Sequence, residues 1–361
     1  MTPADTPAVL AVPLGDRAFL ILFAFIGVVM LCAVGFVLAS LVLRGRNNRI
    51  ARQWAALEAR WDPVMLDVLA GAAEPAALQA IVRPHEHTWF VEYLLRYGRR
   101  IRGPERGLLS TLAGPYLYSV SGDLGHRSVE RRARAAQSVG ELGGGDYRRE
   151  LLAALDDPAP LVVMIAAVAL SREYRPDDVR RVIGSVTRLD LLTSRLLVSM
   201  LQRLGPESGW AFREVLADRG RPAKVRTVAA KVLAAFNDQD SGAIAVAAIE
   251  DADDLDLRVA ILQILQRIGA AEHLPVARRL ADDPVPAVRG AAIRILSRAG
   301  EEEDLDRLVR ALDDPVAWVA IHAAEGLRRS GRPDLLARLA TAQQRRSSIV
   351  VNEMLFRDAG A

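Results

Sequence analysis

The chain has 361 residues, of which 51% are hydrophobic and only 5% aromatic, and its formal net charge is +3. This composition favours packed helices over a sheet-rich core, because aromatic and β-branched residues lead the strand propensities, whereas Ala and Leu lead the helix propensities. The single cysteine, Cys32, excludes an intramolecular disulfide and a cysteine metal site.

The first predicted element is a membrane-spanning helix over residues 18–43. This run, AFLILFAFIGVVMLCAVGFVLASLVL, has 26 residues and no Asp, Glu, Lys, Arg or His. About 20 helical residues cross a bilayer core. A secretory signal is the alternative, but its apolar core has about 7 to 15 residues and follows a basic start. Residues 1–17 are therefore expected to form an extracytoplasmic tail.

The charges that flank this helix predict its orientation. Four arginines follow it, Arg44, Arg46, Arg49 and Arg52, and only Arg17 precedes it. Basic flanks stay on the cytoplasmic side of a membrane. We therefore expect a single-pass protein of the bacterial inner (cytoplasmic) membrane, with its N-terminus outside and the rest of the chain in the cytoplasm.

Residues 44–126 do not follow the period found later and are expected to form a juxtamembrane helix and a helical N-terminal cap. Ile50, Trp54, Leu57 and Trp61 make a stripe at helical spacing. Two interpretations of the stripe are open. It packs on the first repeat, or it lies in the membrane interface, where Trp and its neighbouring Arg are favoured.

A repeat with a period of 31 or 32 positions occupies residues 127–340. The segment DDPVPAVRGAAIRILSRAG, residues 282–300, recurs as DDPVAWVAIHAAEGLRRSG at 313–331 and as DDPAPLVVMIAAVALSREY at 156–174. From one origin residue per repeat, small or apolar residues follow 3, 4 and 7 positions later, on one face of a helix. The seven origins are Arg132, Val163, Ser194, Arg226, Arg258, Arg289 and Ala320.

The residue 11 positions after each origin is predicted to end this inner helix. Gly, and then Asn, are favoured there because they tolerate a left-handed backbone. Tyr174 departs from the pattern, and its repeat is expected to end differently, near Pro176. The predicted helix-end positions are Gly143, Gly205, Asn237, Gly269, Gly300 and Gly331.

A shorter amphipathic helix precedes each inner helix, as in LPVARRLADD and DLDRLVRALDD, and DDP forms the corner between the two, with Pro at the first helical position. We therefore predict an all-α fold, a right-handed α-solenoid of about seven two-helix repeats plus one N-terminal transmembrane helix. Residues 341–361 are expected to form a C-terminal capping helix, because Asp358 takes a position that a further repeat needs to be apolar.

The pattern DDPxPxVRxxAAxxLxxxG at Asp282 to Gly300 resembles the HEAT repeat, in the short form of the phycobilisome-lyase-like group, and the resemblance covers roughly residues 127–340. It implies that a corner Asp and an Arg six positions later link neighbouring repeats, and Asp283 and Arg289 match.

Two other corners match this pair only in part. Asp157 and Asp314 keep the acidic residue, but Val163 and Ala320 stand where the Arg is expected. These two joints are therefore expected to be less polar.

No motif predicts catalysis, a metal or a cofactor. HEH at 85–87 lacks the i, i+4 spacing that puts two imidazoles on one helix face. ELGGGDY at 141–147 lacks the Lys and Ser or Thr of a phosphate-binding loop. We therefore expect a protein that is not an enzyme.

One row of charged residues is a candidate partner-binding site. Nine positions after the origins, five of the seven side chains are Arg. These cations either stabilise the helix C-termini or form a basic track for an acidic segment of a partner. The predicted row contains Arg172, Arg203, Arg267, Arg298 and Arg329.

Together these features predict a membrane-anchored scaffold or regulatory adaptor whose cytoplasmic array binds a protein partner at the inner membrane. The resemblance suggests an envelope glycosyltransferase system as that partner. Nucleic acid is not expected, because no basic stripe interleaved with aromatics is present. The alternatives are a lyase-like or other enzyme activity on a bound ligand, and a self-associating structural protein.

Overall fold

The computed structural model describes residues 14–98, 105–172, 175–189 and 192–330. Within these ranges the chain is almost entirely helical and contains no strand. The predicted capping helix at 341–361, Gly331, Tyr174 and most of the predicted tail lie outside the described residues. The first four helices are α1 (Leu14–Leu69), α2 (Pro75–Ala80), α3 (His87–Gly98) and α4 (Glu105–Ser121).

The remaining described helices alternate between inner helices, most of them longer, and outer helices. They are α5 (Val129–Leu142), α6 (Arg148–Ala154), α7 (Pro160–Leu170), α8 (Pro176–Thr187), α9 (Ser194–Leu201), α10 (Gly209–Ala217), α11 (Ala223–Phe236), α12 (Gly242–Glu250), α13 (Leu255–Ile268), α14 (Leu274–Leu280), α15 (Pro286–Ala299), α16 (Leu305–Ala311) and α17 (Ala317–Arg329). The inner helices are the odd-numbered ones from α5 to α17, and each contains one predicted origin. The fold is thus an all-α array of two-helix repeats.

The chain divides into two compact units. Unit 1 falls within Met1–His87 and Gly103–Leu112, and unit 2 falls within Thr88–Arg102 and Ala113–Ala361.

Helix α1 dominates unit 1. It runs without a break through the predicted boundary at residues 43 and 44 and includes Pro63 near its C-terminal end. Its apolar side chains between residues 23 and 43 are exposed. In contrast, Trp54 and Trp61 are 8% and 0% exposed. Their burial by protein atoms favours packing on protein over the membrane-interface interpretation of the Trp stripe.

The core of unit 2 is made by the predicted stripes of the inner helices. The residues 3, 4 and 7 positions after each origin are buried, with the half-buried Val198 as the exception. Consecutive inner helices pack on one another from α5 to α17, and each outer helix packs on the inner helix that follows it. No repeat buries its own apolar face alone, so the stack forms one continuous core.

Two glycines outside the predicted buried stripes bring pairs of inner helices unusually close. A Cβ added at Gly326 on α17 would lie 2.7 Å from the Cα of Ser297 on α15. A Cβ added at Gly140 on α5 would lie 2.3 Å from the Cβ of Ala169 on α7. These glycines permit helix contacts that alanine does not.

The inner helices do not all end in the same conformation. Asn237, Gly269 and Gly300 have left-handed backbones with φ of 55°, 67° and 71°, as the mechanism for Gly and Asn at these positions requires. Gly205 also has positive φ, but its ψ of 161° is extended, because it links two 3₁₀ turns. Gly143 departs from the expectation. It ends α5 with a right-handed φ of −85°, because the chain continues directly into the 3₁₀ turn Gly144–Tyr147.

The corners also differ from the prediction in one detail. The first helical residue is the second proline of the corner, Pro160 in α7 and Pro286 in α15, rather than the proline of DDP. The DDP proline lies before the helix, in a turn closed by the second Asp. The carboxylate of this Asp accepts a hydrogen bond from the backbone N–H two positions later, and the distance is 2.8 Å for Asp157, Asp283 and Asp314.

Candidate functional site

The corner carboxylates bind arginines of the preceding repeat. Asp157 accepts hydrogen bonds from Arg132 at 2.7 and 2.9 Å, and Asp314 accepts them from Arg289 at 2.5 and 3.0 Å. In each pair both side chains are at most 15% exposed. The Arg thus stands 25 positions before its Asp, on the preceding inner helix.

This geometry corrects the predicted Asp–Arg link. Arg289 reaches its own corner only through the backbone, since it donates to the carbonyl of Asp283 at 2.7 Å, and the Asp283 carboxylate instead pairs with Arg258. The expectation that the joints at Asp157 and Asp314 are less polar is therefore wrong. The residue that decides polarity at a corner is the origin of the previous repeat.

The arginines keep these carboxylates ionised. The guanidinium of Arg132 lowers the pKa of Asp157 below its usual value, and the Ala159 amide adds to this effect against burial. Burial by itself would raise the pKa of Asp314, but the hydrogen bonds from Arg289 and the Val316 amide outweigh it and leave the pKa lowered. The corner pairs are thus ionic at neutral pH.

The outer helices carry a second set of ion pairs between repeats, which the sequence analysis missed. An Arg on one outer helix binds an acidic residue near the start of the next outer helix, 25 to 30 positions later. The carboxylate of Asp304 is fully buried in this arrangement. The pairs are Arg148–Asp178, Arg213–Asp238 and Arg278–Asp304. Both sets of pairs are structural, because they are internal to the stack.

The predicted arginine row divides into paired and unpaired members. Arg172 donates to the carbonyl of Gly140 at 3.1 Å and lies 3.7 Å from a carboxylate oxygen of Glu141. The other four are exposed and form no ion pair with any residue that the structure describes; they are Arg203, Arg267, Arg298 and Arg329. Three of these stand in the last turns of consecutive inner helices α13, α15 and α17, where the helix dipole also favours a cation.

An apolar groove lies beside the paired member of the row. Its volume is ≈ 290 Å³, and it lies between α5 and α7 with Glu141 and Arg172 at its rim. Leu161 in this groove is 48% exposed. The sequence carried a signal for it, because α7 reads PLVVMIAAVAL and is apolar on every face, more than one buried stripe requires. The groove is lined by Gln137, Gly140, Glu141, Leu161, Met164, Ile165, Val168, Ala169 and Arg172.

In the HEH segment at residues 85–87, Glu86 has a structural role. Glu86 is 5% exposed, pairs with Arg60 and accepts a hydrogen bond from the Arg83 amide at 3.0 Å. Burial by itself would raise the pKa of Glu86, but these two donors leave it lowered. The side chain of His85 is 75% exposed. Within the described ranges, no three His, Cys, Asp or Glu residues are grouped as a metal site requires.

Residues 242–328 match the model of the HEAT-repeat family. This segment extends from α12 into α17 and contains the corners at Asp283 and Asp314. No curated protein matches the chain.

Several solved structures are similar to the chain in fold. A crystal structure of a Kap121p mutant is 16% identical, with 80% of this chain and 38% of that chain covered and a TM-score of 0.48. The complex of CpcE and CpcF of phycocyanin lyase from Nostoc sp. PCC7120 is 18% identical, with 67% and 87% covered and a TM-score of 0.30. Human deoxyhypusine hydroxylase is 17% identical, with 68% and 97% covered and a TM-score of 0.31. The chain spans less than two fifths of the Kap121p chain.

Proposed function

We propose that this protein is a membrane-anchored scaffold or regulatory adaptor whose repeat array binds a protein partner along the inner helices. The observation that carries the proposal is the exposed part of the arginine row. Cations that serve only the stack are paired internally, as Arg132 and Arg289 are, whereas Arg267, Arg298 and Arg329 are exposed on consecutive inner helices. Such a row offers an acidic partner segment regularly spaced donors.

Helix α1 supports the anchor. The part from Phe23 to Leu69 contains an 18-residue window with mean hydropathy 2.8, and none of this window is buried by protein. An exposed apolar helix of this length is stable in a bilayer and costly in water. We place residues 18–43 across the bacterial inner membrane, with the tail at 1–17 outside and residues 44–361 in the cytoplasm. A partner in envelope building, such as a membrane glycosyltransferase system, is consistent with that place.

The partner is tested by brief crosslinking in native membranes, purification of the full-length protein in mild detergent and mass spectrometry. Arg267→Glu with Arg298→Glu is expected to reduce recovery of a stoichiometric protein partner while the thermal midpoint barely moves. The matched control is Arg149→Glu with Arg310→Glu, which reverses two exposed arginines on outer helices and is expected to retain the partner. Recovery of the protein alone, or equal losses in both double variants, contradicts the proposal.

The orientation is tested separately by cysteine labelling in intact cells. In a Cys32→Ala background, Thr6→Cys is expected to react with a membrane-impermeant maleimide, because it precedes the proposed span. Arg310→Cys, at an exposed position on α16, is expected to react only after the cells are opened. The reverse pattern contradicts the proposed orientation.

A further inference from the structure

The residue at each origin and the residue 25 positions later, at the next corner, vary together along the array. Two described repeats depart from the Arg and Asp combination, and they do so in the same way. Four repeats have Arg at the origin and Asp 25 positions later, and in three of them the two side chains pair. Where the origin is not Arg, the residue 25 positions later is not Asp but Arg. The first group is Arg132 with Asp157, Arg226 with Asp251, Arg258 with Asp283 and Arg289 with Asp314. The second group is Val163 with Arg188, Ser194 with Arg219 and Ala320 with Arg345. Arg345 lies outside the described residues.

The exchange places a cation at each of these two corners, where Arg188 pairs with Asp156 and Arg219 pairs with Asp251, each at a neighbouring corner. Neither Val163 nor Ser194 can form an ion pair with a corner carboxylate, which explains the loss of the Asp, but any small or polar residue could replace it. A cation at both corners instead changes the local charge. Further cations add to it, since Arg181 lies on α8, Arg221 in the corner before α11 and Lys224 on α11.

Four of these cations line one pocket, whereas Arg219 does not. The volume of the pocket is ≈ 630 Å³, and we call it the basic corner pocket. It is formed by the second half of α8, the corner before α11 and Asp156 of the preceding corner. Its lining residues are Asp156, Arg181, Gly184, Ser185, Thr187, Arg188, Arg221, Pro222, Lys224 and Val225. Four of them are cations and one is an anion, which gives the lining a net charge of +3 (4 − 1).

The three arginines of the pocket are available to a ligand. Arg181 and Arg188 share the carboxylate of Asp156 at 2.8 and 3.2 Å, and their side chains are 48% and 66% exposed. Arg221 pairs with Asp218 at 3.2 Å and is 45% exposed. Exposed ion pairs of this kind contribute little stability, about 0 to 1 kcal/mol, so an anionic ligand displaces them at low cost.

The floor of the pocket is open at Gly184. This residue lies in the last turns of α8, and a Cβ added there meets nothing within 4 Å. The backbone around it is fixed, because Thr187 is 7% exposed and its hydroxyl donates to the carbonyl of Ile183 at 2.7 Å. A peptide segment that enters the pocket would therefore contact a rigid helix face beside exposed guanidinium groups.

We propose that the basic corner pocket binds an extended acidic segment of the partner protein, and this inference rests on the function proposed above. Guanidinium groups bind carboxylates through two parallel hydrogen bonds. Half-exposed arginines at an open rim suit the side chains of a segment that passes across the surface. A site for a small ligand is typically an enclosed and largely apolar pocket, unlike this open, charged one. Single-stranded nucleic acid typically stacks on aromatic side chains, which the lining lacks.

The first test uses the purified full-length protein in detergent and a fluorescent octaglutamate peptide, with octaglutamine as the neutral probe. Fluorescence anisotropy is expected to show binding of octaglutamate that weakens as salt is raised, and no binding of octaglutamine. Arg188→Glu with Arg221→Glu is expected to weaken binding roughly tenfold or more. The control Arg149→Glu with Arg310→Glu is expected to bind as the wild type does.

A second variant separates the pocket from net charge. Gly184→Leu leaves every charge in place and fills the floor, and it raises helix propensity rather than lowering it. It is expected to weaken octaglutamate binding severalfold with no loss of thermal stability, while Gly184→Ala, whose methyl group is small, keeps most of the affinity. Unchanged binding by Gly184→Leu overturns the pocket as the site.

The remaining outcomes distinguish this inference from the proposed function. If octaglutamate does not bind, while vesicles of phosphatidylserine and phosphatidylcholine bind the wild type but not Arg188→Glu with Arg221→Glu, the inference is overturned and the site is a lipid site. If crosslinking recovers a partner from the wild type and equally from Arg188→Glu with Arg221→Glu, the inference fails and the adaptor function stands. If no partner is recovered from the wild type although octaglutamate binds, the adaptor function fails alone.

Discussion

Replacement of Asp314 by Ala tests the physical basis of the repeat stack. The change removes two hydrogen bonds from Arg289, at 2.5 and 3.0 Å, and the bond from the Val316 amide at 2.8 Å. The two side chains are 7% and 15% exposed, so water replaces these bonds poorly. Breaking a buried ion pair costs about 3 to 5 kcal/mol. Because Arg289 keeps its bond to the Asp283 carbonyl, we expect the lower end, about 3 kcal/mol.

The neighbouring residue provides the matched control. Asp313 belongs to the same DDP corner but is exposed, and its replacement by Ala is expected to change stability by no more than about 0.5 kcal/mol. Stability in a repeat array is local, since each repeat contacts only its neighbours. Amide hydrogen exchange followed by mass spectrometry is therefore the assay of choice. Asp314→Ala is expected to reduce protection in α15 and α17 about 100-fold.

Equal amide exchange in Asp313→Ala and Asp314→Ala would contradict a stabilising role for the buried ion pair. So would an Asp314→Ala variant in which α15 and α17 stay protected while α5 exchanges faster. A double-mutant cycle with Arg289→Ala assigns the loss to the pair. The coupling free energy between Arg289 and Asp314 is expected to be about 1 to 3 kcal/mol.

Three further predictions concern helix ends, helix contacts and pH. Gly300→Val is expected to cost about 1 to 2 kcal/mol, measured by urea denaturation, because φ is 71° while the space around the site is open; an unchanged midpoint would contradict the left-handed end. Gly326→Ala is expected to cost about 1 to 3 kcal/mol and to increase exchange in α15, since the new Cβ would overlap Ser297; tighter protection would show that the helices separate freely. The pKa values of Asp157 and Asp314 are lowered in the folded state, so their contribution to stability is complete above the unfolded value of about 3.9 and is lost as the pH falls through the folded values. The free energy of unfolding of the wild type therefore exceeds that of Asp157→Ala with Asp314→Ala by an amount that is expected to shrink from about pH 7 to about pH 3. A constant difference would contradict an ionic origin of this stability.

The sequence predicted the helices and their buried faces well because both depend on local spacing. Offsets of 3, 4 and 7 positions fix one side of a helix, whatever lies against it. The left-handed helix ends at Asn237, Gly269 and Gly300 could also be predicted from local sequence, because they depend on which residues tolerate positive φ. Gly143 has the same residue type as two of these but a different conformation, because the chain that follows it forms a 3₁₀ turn of its own.

The specific contacts between repeats were not predicted. The spacing of six between Asp283 and Arg289 shows that they share a corner, but only the stack shows that each guanidinium reaches the carboxylate of the following corner. Gly326 and Gly140 stand at positions that a single-helix pattern treats as ordinary. Their close contacts exist because neighbouring inner helices approach more closely there than an alanine side chain allows.

The continuity of α1 has a mechanical consequence for the proposed anchor. An α-helix rises about 1.5 Å per residue, so Trp61 stands about 27 Å along the axis from Leu43, the end of the apolar run. Pro63 follows only after this point, so the intervening backbone is free of the residue that most often bends a helix. A change of about 10° in the tilt of the apolar run would move Trp61 sideways by about 5 Å. If residues 18–43 cross the membrane as proposed, a change in bilayer thickness that tilts the helix displaces the residues around Trp61.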